Sequence, residues 1–399
     1  MCYNFPMVNI QNPVSSTWIF AVIFGIALIF SIRRDKLRDF FPISTTEELK
    51  GLAILTVIFG HIGYFLVSDQ RFLYPLSIAS GVGVDLFLFL SGFGLTVSTL
   101  KKSTSIAKFY LKRLPRLFVP FWIVLTLLFL IDFFFLKVSY PWDYIVRSFF
   151  GIFTRANIYI DINSPLWYFT VILFYYLVYP MVFSKKAPWV SALVIYLITY
   201  LVVFQINPSV ISQVKNLYQV HLLAFPLGIV AGWGYYKRGA INDWMANLVD
   251  QYKAKNKKFF NLAAKMARIS SVRNLKKNLF ISFRYFIMAL MIVAILYTSV
   301  NSGVGNLDIV GYISMVTVLV VFALFVLKKI DFKLLSLLGV YSYEIYLLHW
   351  PILLRFNGLY KCFPAWLATV LYLLIFLSLA WVLHKITEKI LRRKLVKLK

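Results

Sequence analysis

The stretch ELKGLAILTVIFGHIGYF, residues 48–65, is apolar enough to cross a bilayer as a helix, yet it carries a cation and a histidine. Lys50 and His61 are eleven residues apart. On an α-helix this is three turns plus about 20°, so they share one face, roughly 16 Å apart along the axis. Ionisable side chains in membrane helices are costly and are usually functional. Because histidine exchanges protons near neutral pH, the stretch predicts a proton-transferring site; the alternative is a histidine satisfied by a neighbouring helix.

The composition places the whole chain in the membrane. Of its 399 residues, 61% are hydrophobic and 14% are charged, and the mean hydropathy is +0.78. A soluble core cannot bury so much apolar surface, and runs long enough to span a bilayer recur along the chain. We predict an all-α, polytopic membrane helix bundle of about eleven transmembrane helices, at residues 16–32, 51–67, 81–99, 117–136, 164–183, 188–206, 219–236, 281–300, 309–327, 335–354 and 364–383.

The net charge of +27 indicates how these helices are oriented. If the first helix runs from outside to inside, 35 of the 42 Lys and Arg residues fall on the cytoplasmic side. This asymmetry follows the positive-inside rule, whereas a nucleic-acid-binding protein gathers its basic residues on one soluble face. The sequence therefore predicts an outside amino terminus, an inside carboxyl terminus, the lipid bilayer as a partner, and no nucleic-acid partner.

Two stretches are longer than simple connectors. Residues 237–280 form a basic insert that suits either a helix lying on the inner leaflet or a part in binding a phosphorylated donor; its apolar residues are Trp244, Leu248, Phe259, Leu262, Met266 and Ile269. Residues 137–163 mix aromatic, charged and amide side chains, which suits either sugar recognition or an interfacial belt. Cys2 and Cys362 both fall on the predicted outer side, and two cysteines predict no metal site.

Ionisable side chains lie at similar estimated depths on three predicted helices, namely His61, Asp85, Glu344 and His349. Hydroxyl side chains accompany them, namely Ser91, Ser342 and Tyr343. Each ionisable group would be costly to bury alone, so the set predicts a polar cavity near the bilayer midplane. In such a cavity Asp85 is a candidate to orient His61, and Tyr343 or Ser342 is a candidate to donate a hydrogen bond to an oxyanion.

The sequence KFYLKRLPRLFVPFW, residues 108–122, begins a further helix at the cytoplasmic side. Arg113 and Arg116 are one helical turn apart, so both guanidinium groups can reach the same phosphate. Plain positive-inside anchoring is the alternative. Pro115 and Pro120 shape an irregular turn that is tolerated only beside a cavity or packed protein, and this favours phosphate binding.

These elements resemble, in order, the motifs of the membrane acyltransferase-3 family. The Lys50 to His61 element is similar to its motif of Arg or Lys, ten residues and His. The other four similar elements are GVDLFLFLSGFGLT (83–96), KRLPRLFVP (112–120), SPLWYF (164–169) and LGVYSYEIYLLHWP (338–351). The resemblance covers residues 47–384 as a ten-helix core, which leaves 1–46 as an extra helix with a basic linker and 385–399 as a basic tail.

The resemblance implies an O-acyltransferase of the plasma membrane that moves an acyl group, usually acetyl from acetyl-CoA, to a hydroxyl of an envelope polysaccharide or lipid-linked sugar. By this resemblance His61 is the general base, Lys50 is a cation near the cytoplasmic mouth, and Arg113 with Arg116 bind the CoA phosphates. The Leu-Trp-Tyr element adds Trp167 to the substrate cavity. The acetyl group would pass either to the acceptor directly or to a partner envelope enzyme. The alternatives are a polysaccharide transporter or flippase with a midplane proton path, and a membrane scaffold without chemistry.

Overall fold

Long apolar runs of the chain form helices, because a helix in lipid satisfies its backbone hydrogen bonds internally. The computed structural model describes residues 7–34, 42–158, 160–206, 208, 211, 213–255, 270–302 and 307–396. The elements are, in order, α1 Pro13–Phe30, β1 Ile32–Arg34, α2 Ile43–Gly60, α3 Ser80–Lys101, α4 Ile106–Phe134, α5 Trp142–Phe149, α6 Trp167–Val182, α7 Pro188–Tyr200, α8 Lys215–Val220, α9 Ala224–Lys255, α10 Ser270–Asn301, α11 Leu307–Leu327, β2 Ile330–Phe332, α12 Lys333–Val340, α13 Ser342–Arg355, α14 Leu359–Cys362 and α15 Ala365–Val396. A π-helical turn, His61–Leu66, continues α2, and a second, Leu201–Ile206, continues α7.

The predicted membrane spans are confirmed. Ten of the described helices are long and apolar enough to cross a membrane, and there are eleven if α12 and α13, bent by 77° at their junction, count as one span. Because the orientation of the bundle stays a prediction, we name its two ends by their connections. The basic end carries residues 102–105, 183–187 and 328–332, and the far end carries 67–79, 135–166 and 356–364.

Helices α2 and α3 lie at the centre of the bundle. In their spanning windows 67% and 61% of the residues are buried, against 17% in α1 and none in the described part of α10. The short helix α12 packs backbone to backbone on α2. A Cβ atom at Gly51 would lie 2.0 Å from the carbonyl oxygen of Leu335, and one at Gly339 would lie 1.7 Å from that of Glu47. Only glycine permits this approach, which places α12 beside Lys50.

A buried ion pair fixes the basic end of α2. Glu48 is fully buried, pairs with Lys328, and accepts a hydrogen bond from the backbone N–H of Phe332. Strand β2 pairs antiparallel with β1, which follows directly after α1. The predicted extra amino-terminal helix is thus attached to the core at its basic end by a two-stranded ladder.

The basic insert over 237–280 is described only in part. Helix α9 continues to Lys255 and α10 begins at Ser270, so the described backbone of the insert is helical. The predicted apolar positions Phe259, Leu262, Met266 and Ile269 lie outside the described residues, as do the side chains of Trp244 and Leu248. Cys2 also lies outside them, and Cys362 is exposed.

Candidate active site

A cavity of about 200 Å³ opens near the basic end between α2, α3, α4, α6 and α13. Three of its lining side chains are the predicted cations Lys50, Arg113 and Arg116. The rest are mainly hydroxyl and aromatic residues, namely Phe87, Ser91, Leu117, Tyr168, Ile172, Tyr176, Ser342, Tyr343 and Tyr346. We call this site the cation cavity. Ser91, Ser342 and Tyr343 line this cavity together, but none of the four predicted midplane ionisable residues lines it.

Helix geometry aims positive charge into the cation cavity from three sides. Arg113 and Arg116 lie one turn apart on α4, and Lys50 lies on α2 beside α12. Helix α13 begins at the cavity with Ser342, and no side chain caps its amino terminus. The first-turn N–H groups of a helix lack intrahelical acceptors and carry partial positive charge, so this helix end adds to the attraction for anions.

The three cations of the cavity have no carboxylate within ion-pair distance among the described residues. Lys50 and Arg113 are nevertheless half-buried, and only Arg116 is exposed. A cation withdrawn from water is costly unless an anion neutralises it. The cation cavity is therefore built to receive an anionic ligand, and guanidinium groups one turn apart match phosphate oxygens.

His61 meets His349 rather than a carboxylate. His61 begins the π-helical turn of α2, a feature frequent at functional sites. Its Nδ1 lies 2.8 Å from the carbonyl oxygen of Val57 and 3.3 Å from Nε2 of His349. Since a carbonyl can only accept, Nδ1 of His61 carries the proton. In the neutral ring, Nε2 of His61 is then left with a free lone pair, as a general base requires.

Backbone carbonyl oxygens also determine which nitrogen of His349 carries the proton. Its Nδ1 lies 2.9 Å from the carbonyl oxygen of Tyr346 and 3.1 Å from that of Ile345, so Nδ1 is the protonated nitrogen here too. Nε2 of the neutral ring can then accept from Nδ1–H of His61, which helps to fix the tautomer of His61. The two histidine rings lie side by side, with centroids 4.9 Å apart.

Aromatic residues connect the histidine pair to the cation cavity. The ring of Tyr346, which lines the cavity, lies 6.4 Å from that of His349. On its other side His61 contacts Phe65 and Trp350, with ring centroids 5.8 and 5.1 Å away. His61 is half-buried, and Phe65 beside it is exposed. Tyr346 and then His349 thus connect the cation cavity to His61.

Asp85 does not orient His61, so that prediction is wrong. Its Oδ1 lies 2.7 Å from Nδ1 of His221, and its Oδ2 accepts from the hydroxyl of Ser314. Both carboxylate oxygens are thus engaged with α8–α9 and α11. The predicted cavity residue Trp167 stacks on the ring of His221 at 5.6 Å instead of lining the cation cavity. Sequence reasoning missed His221, which follows α8 inside the predicted span 219–236 and belongs to none of the motifs.

Glu344 also has a partner of its own. Its Oε1 lies 2.7 Å from Nδ1 of His384 on α15, a half-exposed residue that sequence reasoning missed as well. The four predicted midplane residues are therefore divided among three sites: the His61–His349 pair, the Asp85–His221–Ser314 cluster and the Glu344–His384 pair. Equal depth along the bilayer normal did not mean that they share one cavity.

Charged groups at the far end neutralise one another. Arg355 donates from Nε and Nη2 to the two carboxylate oxygens of Asp132 at 2.7 and 2.6 Å, and Nη2 also donates to the carbonyl oxygen of Ile162. Asn163 donates from Nδ2 to the carbonyl oxygen of Leu347 at 3.1 Å. We call Asp132, Asn163 and Arg355, with the carbonyl groups they bind, the far-end clamp, because they join α4 and the loop before α6 to α13.

Charged side chains of the loop over 137–163 form ion pairs with one another. Arg147 pairs with Asp143 within the amphipathic helix α5, and Arg155 pairs with Asp161. Tyr144 accepts a hydrogen bond from the backbone N–H of Ile162, and burial together with the charge of Asp161 raises the pKa of its hydroxyl. These contacts hold the loop in shape, and they leave its predicted role in sugar recognition a prediction.

A larger cavity lies elsewhere. A groove of about 1010 Å³ runs between α4, α13 and α15, and most of its lining side chains are aliphatic. It contains none of the predicted site residues. An aliphatic groove between membrane-spanning helices suits a lipid chain, so volume does not locate the chemistry in this protein.

The family comparison agrees with the motifs. Residues 48–385 match the model of the acyltransferase-3 family, which is described as an acyltransferase domain. The matched range contains the cation cavity and both histidines. No curated protein and no solved structure matches the chain significantly.

Proposed function

Because the chain belongs to the acyltransferase-3 family and is a multi-pass membrane acyltransferase, we propose that it transfers acetyl from acetyl-CoA to a hydroxyl of an envelope carbohydrate at the plasma membrane. The observation that carries this proposal is the cation cavity. Three cations without carboxylate partners among the described residues line it, and its wall residue Tyr346 is in ring contact with His349 of the histidine pair.

The cation cavity suits the phosphate end of the donor. CoA carries several phosphate charges on a long flexible body, and Arg113 and Arg116 offer planar forks one turn apart. Lys50 adds a third positive charge from the facing helix. In this proposal the nucleotide end of acetyl-CoA stays at the basic end, and the thioester reaches past Tyr346 to His61.

His61 is the general base of the proposed reaction. The acceptor hydroxyl oxygen attacks the thioester carbonyl carbon, the proton passes to Nε2 of His61, and the carbonyl electron pair moves onto oxygen. When the carbonyl double bond re-forms, the C–S bond breaks and the leaving thiolate takes the proton from His61. No charge or proton is left over. The contribution expected of such a base is about 100- to 10,000-fold in rate.

The two substrates approach from opposite ends. If the basic end faces the cytoplasm, as the positive-inside rule predicts, the donor enters from the cytoplasm. The acceptor then reaches His61 from the far end, where Phe65 of the π-helical turn is exposed. Transfer either to the carbohydrate itself or to a partner envelope enzyme is compatible with this arrangement.

The experiment compares a strain lacking the gene with strains that carry the parental protein, His61→Ala or Tyr64→Phe. Tyr64→Phe is the control, because it removes an exposed hydroxyl three residues along the same turn. Base-labile acetate on envelope carbohydrate should disappear in the deletion strain and return with the parental and Tyr64→Phe proteins. It should not return with His61→Ala at equal protein level.

Two results would count against the proposal. If a folded His61→Ala protein restored acetylation to the parental level, His61 would not be the general base. Loss of carbohydrate export in the deletion strain, with acetate unchanged on what remains, would indicate a transporter instead. Purified protein supplied with radiolabelled acetyl-CoA and acceptor glycan then tests whether transfer is direct.

A further inference from the structure

Trp350 has a buried hydrogen-bond donor that no described residue satisfies. Its side chain is 1% exposed, and its indole Nε1 has no hydrogen-bond partner in the described part of the chain. Buried polar groups in proteins are almost always paired, so an exception calls for a physical reason. One such reason is that a bound substrate supplies the missing acceptor.

The position of Trp350 limits which substrate atom this can be. Trp350 follows His349 on α13, and its ring centroid lies 5.1 Å from that of His61 and 6.4 Å from that of Phe65. It is thus a direct neighbour of the proposed base. Any group whose proton His61 removes must come close to this cluster of aromatic rings.

The neighbouring donors are already used. Nδ1–H of His61 is directed at the carbonyl oxygen of Val57 and at His349, and Nδ1–H of His349 is directed at backbone carbonyl oxygens. Tyr343, a predicted oxyanion donor, donates its hydroxyl to the carbonyl oxygen of Leu117 at 2.6 Å. With these three side chains engaged, the indole N–H of Trp350 is an unused donor directly beside His61.

We propose that Trp350 is a further catalytic residue whose indole N–H donates a hydrogen bond to the thioester carbonyl oxygen as it becomes an oxyanion. This inference rests on the proposed acyl transfer. As the acceptor oxygen bonds to the carbonyl carbon and His61 takes the proton, negative charge collects on the carbonyl oxygen. A fixed donor in a site without water stabilises that charge more than it stabilises the neutral thioester.

The test replaces Trp350 by Phe, which keeps an aromatic ring and removes the donor. The matched control is Trp381→Phe, the same change at a half-exposed position of α15. Each purified protein is assayed with acetyl-CoA and with its dithioester analogue, in which sulfur replaces the carbonyl oxygen and is the weaker hydrogen-bond acceptor. The preference for oxygen over sulfur is a ratio, so it does not depend on the amount of folded protein.

We expect Trp350→Phe to lower kcat with acetyl-CoA on the order of 100-fold, to leave the KM values unchanged, and to reduce the oxygen-over-sulfur preference by a similar factor. Trp381→Phe should match the parental protein in all three. If Trp350→Phe keeps the parental preference, whether or not its rate falls, the ring has a packing role only and the inference is wrong. If the phenylalanine protein does not accumulate, Trp350→Leu, which also lacks the donor, takes its place.

Failure of the proposed function gives a different pattern. In that case the parental protein and Trp381→Phe also transfer no acetyl group. If acetyl transfer by the parental protein depends on His61 but the oxygen-over-sulfur preference does not depend on Trp350, only the role of Trp350 as an oxyanion donor is disproved.

Discussion

The cation cavity and the far-end clamp contain the same kind of side chain in opposite surroundings. In the far-end clamp, Arg355 is buried and its guanidinium group donates to both oxygens of Asp132. In the cation cavity, none of Lys50, Arg113 and Arg116 forms an ion pair with a carboxylate of the described residues, and Glu47 attracts Lys50 only from beyond ion-pair distance. The clamp thus contains its own counter-charge, whereas the described residues of the cavity supply none.

This difference separates structural charge from functional charge. A buried cation whose partner is built into the protein is already neutralised, and removing that partner damages the fold. A cluster of cations without a built-in partner repels itself and adds nothing to folding, so its presence indicates a ligand that arrives later. Substitutions in the far-end clamp should therefore change stability, and substitutions in the cation cavity should change donor binding.

Asp132→Ala should give the largest effect. It leaves the guanidinium group of Arg355 buried without its carboxylate, and breaking a buried pair in this way costs about 3–5 kcal/mol. We expect a large drop in the thermal unfolding temperature in detergent and a low protein level in the membrane. Asp143→Ala is the control, since its pair with Arg147 is exposed and worth about 0–1 kcal/mol.

Replacing both Asp132 and Arg355 distinguishes the effect of leaving a charge unpaired from the effect of changing the packing of the far-end clamp. Asp132→Leu combined with Arg355→Met removes both charges and keeps apolar volume, and such exchanges are often neutral or stabilising. The double variant should regain most of the stability that Asp132→Ala loses. Equal instability of both proteins would mean that the geometry of the clamp matters rather than its charge.

Arg113→Ala should leave the fold intact and weaken donor binding. A hydrogen bond to a charged group is worth about 1.5–3 kcal/mol, so KM for acetyl-CoA should rise roughly 10- to 150-fold, with the unfolding temperature unchanged. Arg113→Lys keeps the charge but not the bidentate geometry, so its KM for acetyl-CoA should lie between those of the parental and Arg113→Ala proteins. Arg147→Ala controls for loss of an arginine elsewhere. A destabilised Arg113→Ala protein with parental KM would place Arg113 among the structural cations.

The membrane spans and the pairs of residues one helical turn apart could be predicted from the sequence, because both depend on short-range patterns. Eleven apolar runs could be recognised one at a time, and the one-turn spacing of Arg113 and Arg116 is set by helix geometry. The His61–His349 pair, in contrast, was suggested by estimated depth together with the family motifs. Depth along a helix is calculable from residue number, but it does not say which way each helix is turned.

The unknown rotation of each helix about its axis explains the wrong predictions for Asp85 and Glu344. Asp85 lies on α3 next to α2, yet its carboxylate faces His221, which is 136 positions away in the chain. Glu344 likewise finds His384 on the last helix. These contacts depend on how distant helices pack, and no periodicity within one segment encodes them. Trp350 was missed for another reason: its indole resembles ordinary core until its unpaired N–H is seen in the structure.

The smallest effect should come from Asn163, at the edge of the far-end clamp. Pro351 lies inside α13 and has no N–H, so the carbonyl group of Leu347, four residues earlier, loses its helical partner. Asn163 supplies the replacement donor. Asn163→Leu should therefore reduce the free energy of unfolding by about 1–3 kcal/mol, because it leaves that carbonyl group buried and unpaired.

Pro351→Ala allows this explanation to be tested as a double-mutant cycle. Alanine restores a backbone N–H that can donate to Leu347, so Asn163→Leu should be less damaging in the Pro351→Ala background, with a coupling energy of about 1 kcal/mol. Thermal unfolding of the four proteins in detergent measures it. Additive effects would show that Asn163 stabilises the loop before α6 and not the proline kink. The clamp would then consist of its ion pair alone, and the contrast with the cation cavity would depend entirely on Asp132 and Arg355.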